Sequence, residues 1–458
     1  MKPSFRPDIW LIAALLVVSV VGGVVLNTQT CKELDEREWT YFGRMNIWRS
    51  TFDALSATCG VGLLLYDVDD EYTPTGRWVL TGLGIAGALL FLAAARGAIQ
   101  RLWLACKESV PLPSLGLILV VFVLLTGLSI PVVACLEGFI SGTDKWIGQG
   151  GWSSSAWRAI AAFASLGWLP GDTHRSSHWI YAVVALVGGL GWTIWLLPMS
   201  RLRRRCLYTP RVLGLALTYV IFLVLMAGIL YTLEAPRGGS PSNASSEALT
   251  GDISGERMGR CLVQITCASC AGMATESLQE HNITEGSKMV LASTLLLGPQ
   301  AGSVSGGIKW SLLIWALGGA LAALAARGRS SHAASFRCLL SGIVCLALLI
   351  LLTTIVAGGL LVIESRTASI YQSPPTFADA FLDAASAVGG GNLTTGLIER
   401  VTSRNLSSGI RQSVDLYQYG MMWLMAAMLL GRVLPIFVLC HMAGAKIHDT
   451  RRGAPPLI

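Results

Sequence analysis

Long apolar runs separated by short polar stretches dominate the chain. Eight of them are long enough to cross a bilayer: Ile9–Leu26, Trp78–Ala95, Leu112–Cys135, Trp179–Leu197, Val212–Leu230, Met289–Leu324, Cys338–Ile363 and Met421–Cys440. At a rise of roughly 1.5 Å per residue, about 20 apolar residues span about 30 Å of hydrocarbon. The sixth run is too long for one straight crossing and carries a glycine-rich interruption between Gly298 and Gly307. The pattern predicts an all-α integral membrane protein of eight spans.

Between successive pairs of runs lie four short segments that end in small residues and glycine. They are Ser56-Ala57-Thr58-Cys59-Gly60-Val61-Gly62-Leu63, Ala162-Phe163-Ala164-Ser165-Leu166-Gly167-Trp168, Cys267-Ala268-Ser269-Cys270-Ala271-Gly272-Met273 and Ser386-Ala387-Val388-Gly389-Gly390-Gly391-Asn392-Leu393-Thr394-Thr395-Gly396. Their key positions, 62, 167, 272 and 392, recur at spacings of 105, 105 and 120 residues. A unit that buries only one face needs its neighbours to complete a core, so four like units should pack around one axis. The units divide at 1–108, 109–206, 207–330 and 331–458. Helix starts are expected at Ser50-Thr51, at Ser153-Ser154-Ser155, at Ser254 with Glu256, and at Ser373-Pro374-Pro375-Thr376, all residues suited to helix N-termini. Each segment then stops after about ten residues, too short to span.

Backbone leaves helical form inside a membrane only where it is buried in protein or lines water. The carbonyl ends of four short re-entrant helices would therefore converge on one axis and present partial negative charge to a cation. Glycine in the loops lets carbonyls turn inward without a Cβ clash. Rings of backbone oxygens would then replace a hydration shell. Ordinary turns between spans are the alternative, and four in register argue against it.

Composition agrees: 53% of residues are hydrophobic and 13% charged, with a mean hydropathy of +0.59. The net charge of +7 is uneven, with Arg201, Arg203, Arg204, Arg205 and Arg211 in one loop, Arg96, Arg101 and Lys107 in a second, and Arg327, Arg329 and Arg337 in a third. These loops, with Lys2 and Arg6 at one end and Lys446, Arg451 and Arg452 at the other, are expected on the cytoplasmic side, which puts both termini there. They read as topology signals rather than a nucleic-acid surface. The first run is a retained span, since no small-residue cleavage signature follows it. Cys267-Ala-Ser-Cys270 has redox spacing but no surrounding βαβ pattern. Gly82-Leu-Gly-Ile-Ala-Gly87 spells a dinucleotide fingerprint inside an apolar span with no strand before it, which excludes that reading. No covalent chemistry is needed, and neither a Walker motif nor a nucleotide fold is present.

The pore-loop residues resemble the Trk/Ktr potassium-uptake family, relatives of the plant high-affinity potassium transporters. Ser56 to Leu63 and on to Asp67 is similar to that family's first pore loop, Gln264 to Gly272 with Thr275 to its third, and Ser386-Ala387 with Thr395-Gly396-Leu397 to its fourth. The second, around Phe163 and Gly167, is the weakest match. Gly82–Ile85 and Gly188–Gly191 resemble the glycine-rich helices after repeats one and two. Gly302–Lys309 resembles the intramembrane gate loop, and Gly431-Arg432-Val433-Leu434-Pro435 the final helix with its cavity-facing arginine.

The resemblance implies four helix–pore loop–helix repeats around a central pore that carries a monovalent cation, potassium first and sodium second, across the cell membrane. Its filter would be lined by Cys59, Gly60, Val61 and Gly62; by Leu166 and Gly167; by Cys270, Ala271 and Gly272; and by Gly390, Gly391 and Asn392. The gate would comprise Gly302, Ser303, Ser305, Gly306 and Gly307, with Lys309 and Arg432. The resemblance further implies a homodimer with one pore per chain, resting on a separate cytoplasmic nucleotide-binding regulatory subunit. The transported ion is the only metal expected, and no organic cofactor.

Several residues carry competing readings. Arg432 in mid-span should face the pore or a carboxylate, since a charge there costs roughly 2.5–3.5 kcal/mol; the alternative is a snorkelling or structural arginine. Lys309 lies close enough to the cytoplasmic end to snorkel. The break at Gly298–Gly307 is a mobile gate or a static kink. Asp67, Asp69, Asp70 and Glu71 either concentrate cations at the mouth or form a solvated acidic loop. Asn392 stands where potassium-selective members of the family typically have glycine, and asparagine is the side chain that best tolerates positive φ. Cys59 and Cys270 stand where the family often has threonine. These departures leave open a non-conducting scaffold or sensor subunit. A carrier for an organic solute would require more ionisable residues within the spans.

Overall fold

A computed structural model of the chain describes residues 7–28, 30–31, 36–64, 72–105, 113–140, 151–168, 177–196, 209–234, 254–275, 278, 283–300, 302–314, 317, 329–367, 374–398 and 414–452. Asp67, Asp69, Asp70, Glu71 and the basic loop at 201–205 lie outside these residues. The described secondary structure is helical, in the order helix, re-entrant helix and loop, helix, taken four times. The first unit has α1 (Pro7–Leu26), α2 (Glu36–Cys59) and α3 (Pro74–Ala105), and the second has α4 (Leu115–Ile140), α5 (Gly151–Ala164) and α6 (His178–Trp195). The third has α7 (Thr209–Leu233), α8 (Ser254–Ala271) and α9 (Glu285–Leu296), and the fourth has α10 (Arg329–Thr367), α11 (Phe377–Gly389) and α12 (Val414–Arg452).

Among the described residues seven helices are long and apolar enough to cross a membrane. Over the described part of the remaining expected run, Met289–Leu324, α9 stops at Leu296, and irregular backbone occupies 297–300 and 302–309 before a short helical turn at 310–314. The glycine-rich interruption read from the sequence is thus the place where helix gives way. Outward faces of the spans are apolar, with Leu124 65% and Leu225 62% exposed. Stripes of this kind are stable against lipid and not against water.

The pore helices differ from expectation in length and in one start: α5 and α11 have 14 and 13 residues, near the ten expected, but α2 has 24 and α8 has 18. α2 begins at Glu36, so Ser50-Thr51 lies inside the helix and does not start it. The Thr51 hydroxyl donates to the Ile47 carbonyl one turn back (2.6 Å), as a mid-helix threonine does. α11 starts as read: Thr376 caps it, and Asp379 completes a capping box by accepting from the Thr376 amide (2.8 Å). The same Asp379 pairs with the buried Lys288 of α9 (2.5 Å), which also meets Glu285 (2.8 Å).

Buried polar groups tie the units together. Glu137 at the end of α4 accepts from Ser155 (2.6 Å) and Arg158 (3.3 Å) of α5 and from the Tyr181 hydroxyl of α6. Glu234 after α7 accepts from the Thr284 amide ahead of α9 (2.9 Å). With no competing water, charge-assisted bonds of this kind hold a short helix at a fixed angle to its spans.

Glycines in the second spans let those helices close on the pore helices. A methyl group on Gly87 would lie 1.8 Å from the Thr58 carbonyl oxygen, on Gly188 2.2 Å from that of Phe163, and on Gly431 2.1 Å from that of Val388. Thr58, Phe163 and Val388 each stand four positions ahead of a key residue, at 62, 167 and 392. The same backbone approach therefore recurs in three units.

Candidate functional site

The four loops meet end to end. A methyl on Gly62 would stand 2.2 Å from the Leu166 oxygen, and one on Gly167 2.0 Å from the Val61 oxygen, so loops one and two are in backbone contact. Loop two reaches loop three through Gly167, whose N–H donates to the Ala271 carbonyl (3.1 Å). Loop three reaches loop four through Asn392, whose N–H donates to the Gly272 carbonyl (2.6 Å). A Cβ on Gly390 would lie 3.5 Å from the Gly60 oxygen, which brings the fourth loop back to the first. The order follows the chain and closes on itself.

Backbone conformation repeats with the loops. Gly62, Gly167 and Gly272 have φ of 73°, 85° and 68°. Two positions before the key residue, Gly60, Ser165 and Gly390 have φ of 63°, 55° and 79°. Left-handed residues reverse the carbonyl direction, which lets a short stretch turn oxygens toward one axis. The amides of Val61, Leu166 and Gly391 each return to a pore-helix carbonyl five residues back, those of Ser56, Ala161 and Ser386 (2.9, 3.0 and 2.9 Å). Loop three departs slightly: Gly272 bonds to Ala268 and Met273 to Cys267 (both 3.1 Å).

Asn392 corrects an expectation. Among the described residues Ser165 alone, of those other than glycine, has positive φ, so Asn392 does not occupy the left-handed region. The left-handed turn of loop four sits at Gly390, the C-cap of α11, and Asn392 follows it in ordinary backbone. Its tolerance of positive φ is therefore not what admits it. Ser165 went unrecognised because a serine carries no sequence mark of left-handed backbone; a buried non-glycine there is strained by roughly 1–2 kcal/mol.

The side chains of the candidate filter residues face the scaffold where their contacts are defined. Cys270 lies against the Tyr219 hydroxyl of α7 (3.1 Å), and the Leu166 side chain lies where Gly84 of α3 makes room. Cys59 and Val61 are buried.

Below the loops lies the irregular segment of 297–300 and 302–309. A methyl on Gly306 would be 2.1 Å from the Gly389 oxygen, so this segment abuts the base of loop four. The Ser305 hydroxyl donates to the Ser269 carbonyl of α8 (3.2 Å). Gly302, with φ 89°, lies against Trp192, whose amide donates to the Gly302 oxygen (3.3 Å); Gln300 donates to the Gly189 oxygen (3.2 Å). The glycines of α6 thus serve as its seat, and Gly191 at φ 70° marks a kink there. Gly307 (φ 68°) folds back on α9.

Two cations fasten the segment. Lys309 is buried and donates to the Ser303 hydroxyl (3.0 Å), the Ser305 carbonyl and the Gly306 carbonyl (3.5 Å), so it does not snorkel. Arg432 of α12 donates to the Val304 carbonyl. Its guanidinium lies over the Phe91 ring at 4.0 Å, and Lys309 approaches the same ring at 5.4 Å. A Cβ on Gly60 would be 3.3 Å from the Arg432 Nη2, which puts this charge directly beneath loop one. Among the described residues its hydrogen-bond acceptor is a carbonyl and not a carboxylate.

Reading the sequence missed the aspartates behind the first and fourth loops. Asp53 and Asp383 lie nine positions ahead of Gly62 and Asn392, within the matching strings Asp53-Ala-Leu-Ser-Ala57 and Asp383-Ala-Ala-Ser-Ala387. That internal repeat was the available signal. Asp53 accepts from the Tyr72 hydroxyl (2.6 Å), and in loop three Gln264 accepts from the amide and hydroxyl of Thr275 (2.9 and 2.6 Å).

Four like units, each a helix, a re-entrant helix with a glycine loop, and a second helix, joined around one line of backbone, define a helical membrane pore. No protein-family model matches the chain, and no curated protein matches it. Among solved structures it is similar to the potassium transporter TrkH from Vibrio parahaemolyticus, with a TM-score of 0.64 and 14% identity over 96% of this chain and 85% of that one. The chain has the Trk-type fold that its pore-loop residues led us to expect; at this identity the likeness is one of fold.

Proposed function

We propose that this chain carries a monovalent cation, potassium before sodium, along the axis between the four pore loops. The observation that carries the reading is the closed sequence of loop contacts, Gly62 to Leu166, Gly167 to Ala271, Gly272 to Asn392 and Gly390 to Gly60, at the carbonyl ends of the four pore helices. Dipole ends and turned carbonyls provide partial negative charge where a dehydrated cation needs it. Cys59 to Gly62, Leu166–Gly167, Cys270 to Gly272 and Gly390 to Asn392 form the filter through their backbone oxygens. The segment holding Gly302, Ser303, Ser305, Gly306 and Gly307 is its gate, shut by Lys309 and Arg432. No organic cofactor takes part.

The protein resides in the cell membrane with both termini in the cytoplasm, functions as a homodimer with one pore per chain, and is controlled by a separate cytoplasmic nucleotide-binding subunit that meets the basic inner loops. The repeat divisions at 108, 206 and 330 give each unit its own loop. Growth of an uptake-deficient host on limiting potassium, with ion flux in liposomes, tests the reading; neither rescue nor flux would sink it.

One observation favours a second reading, a pore-like scaffold or sensor that does not conduct. The Ala271 and Gly272 carbonyls accept hydrogen bonds from neighbouring loops and are to that extent withdrawn from an ion. The liposome measurement separates the two.

A further inference from the structure

The fourth loop is held by one carboxylate. Asp383 lies inside α11 and is fully buried. Its Oδ1 accepts from the Thr395 amide (2.7 Å), and its Oδ2 accepts from the Thr394 hydroxyl (3.1 Å) and the Ile398 amide (3.1 Å). One turn on, the Ser386 hydroxyl donates to the Leu393 carbonyl (2.5 Å). The chain rising from Asn392 is thus stapled to its own pore helix from Leu393 to Ile398. The related aspartate, Asp53, accepts from the Tyr72 hydroxyl (2.6 Å). Gln264 offers a neutral acceptor to Thr275. In the second unit the place nine positions ahead of Gly167 is taken by Arg158, a donor, which turns away to Glu137.

We propose that Asp383 is a positioning residue for ion discrimination: its carboxylate sets the course of residues 393–398 and so the direction of the carbonyls around Asn392. A buried carboxylate is costly unless its lone pairs are filled, and here both oxygens are occupied by donors from one short segment. Geometry follows from that demand, because the segment cannot move without stripping a buried charge of its partners. The Asn392 amide then reaches Gly272, so the position of loop four also fixes that of loop three. This inference rests on the conducting reading only for its effect on selectivity; the staple itself can be measured without flux.

Asp383→Asn is the sharpest variant. The amide keeps one acceptor but turns an NH2 group toward a donor, either the Thr395 or the Ile398 N–H. Purified full-length protein in liposomes is compared with the parent by hydrogen–deuterium exchange and by the potassium-to-sodium permeability ratio. Amides of 393–398 should exchange about tenfold faster, the factor that corresponds to about 1.4 kcal/mol, while those of α4 and the melting temperature change little. The permeability ratio should fall at least about threefold, roughly half that free energy. Thr394→Val, which keeps the charge and removes one donor, should give a smaller change of the same sign, and it decides the matter if Asp383→Asn does not fold. Unchanged exchange at 393–398, or faster exchange throughout the protein, overturns the staple. Faster local exchange with an unaltered ratio overturns the role in discrimination. If the parent carries no ion, the conducting reading falls, and exchange alone judges the staple.

Discussion

Arg432→Ala should open the pathway. In the structure the guanidinium donates a hydrogen bond to the Val304 carbonyl of the seated gate segment, and it lies over the ring of Phe91, a residue of α3, at 4.0 Å. The ring contact belongs to the surrounding helices, so the hydrogen bond is what distinguishes the seated segment from a displaced one. A charged hydrogen bond contributes about 1.5–3 kcal/mol, and the lower end of that range corresponds to about a tenfold shift in population. Removing the side chain removes that bond, so unstimulated rubidium uptake into liposomes should rise about tenfold. Arg432→Lys, which keeps the charge and a donor, should rise no more than a few-fold. Uptake at or below the parental rate, with folding intact, would refute the latch.

Gly167→Ala should abolish flux, because the methyl would meet the Val61 oxygen at 2.0 Å on a residue of φ 85°; Gly396→Ala, with φ 93° but open space around it, should retain flux. Asn392→Gly keeps the amide bond to Gly272 and removes the side chain, and should raise the potassium-to-sodium ratio; an unchanged ratio would count against Asn392 lining the filter. Asp379→Ala leaves Lys288 buried beside only the half-exposed Glu285, and should lower stability in detergent by about 3 kcal/mol, read from the denaturation midpoint.

The spans and the loops were legible because each rests on a short-range rule. Apolar length predicts crossing, and Gly62, Gly167 and Gly272 mark left-handed backbone that few other residues accept. The break at Gly298–Gly307 was legible for the same reason. The start of α2 at Glu36 was not, since charged residues ahead of Ser50 carry no apolar period and Ser50-Thr51 imitates a cap. Partnerships across units were also hidden: Glu137 meets Tyr181, 44 residues on, and Arg432 meets Val304, 128 residues back. No local pattern encodes such pairs. Asp383 falls between these cases, since its repeat with Asp53 was visible while the donors that fill it lie in the loop beyond.

Because the four loops follow one another in a single polypeptide, a codon change at one of them alters one quadrant and leaves three alone. A ring assembled from four copies of one chain would change everywhere at once. This chain has used that freedom: its second quadrant bends at Ser165 where two others bend at glycine, its third lacks that bend, and its fourth carries asparagine where the other three have left-handed glycine. A ring of unlike quadrants has no fourfold symmetry to preserve, so each loop can be substituted by itself.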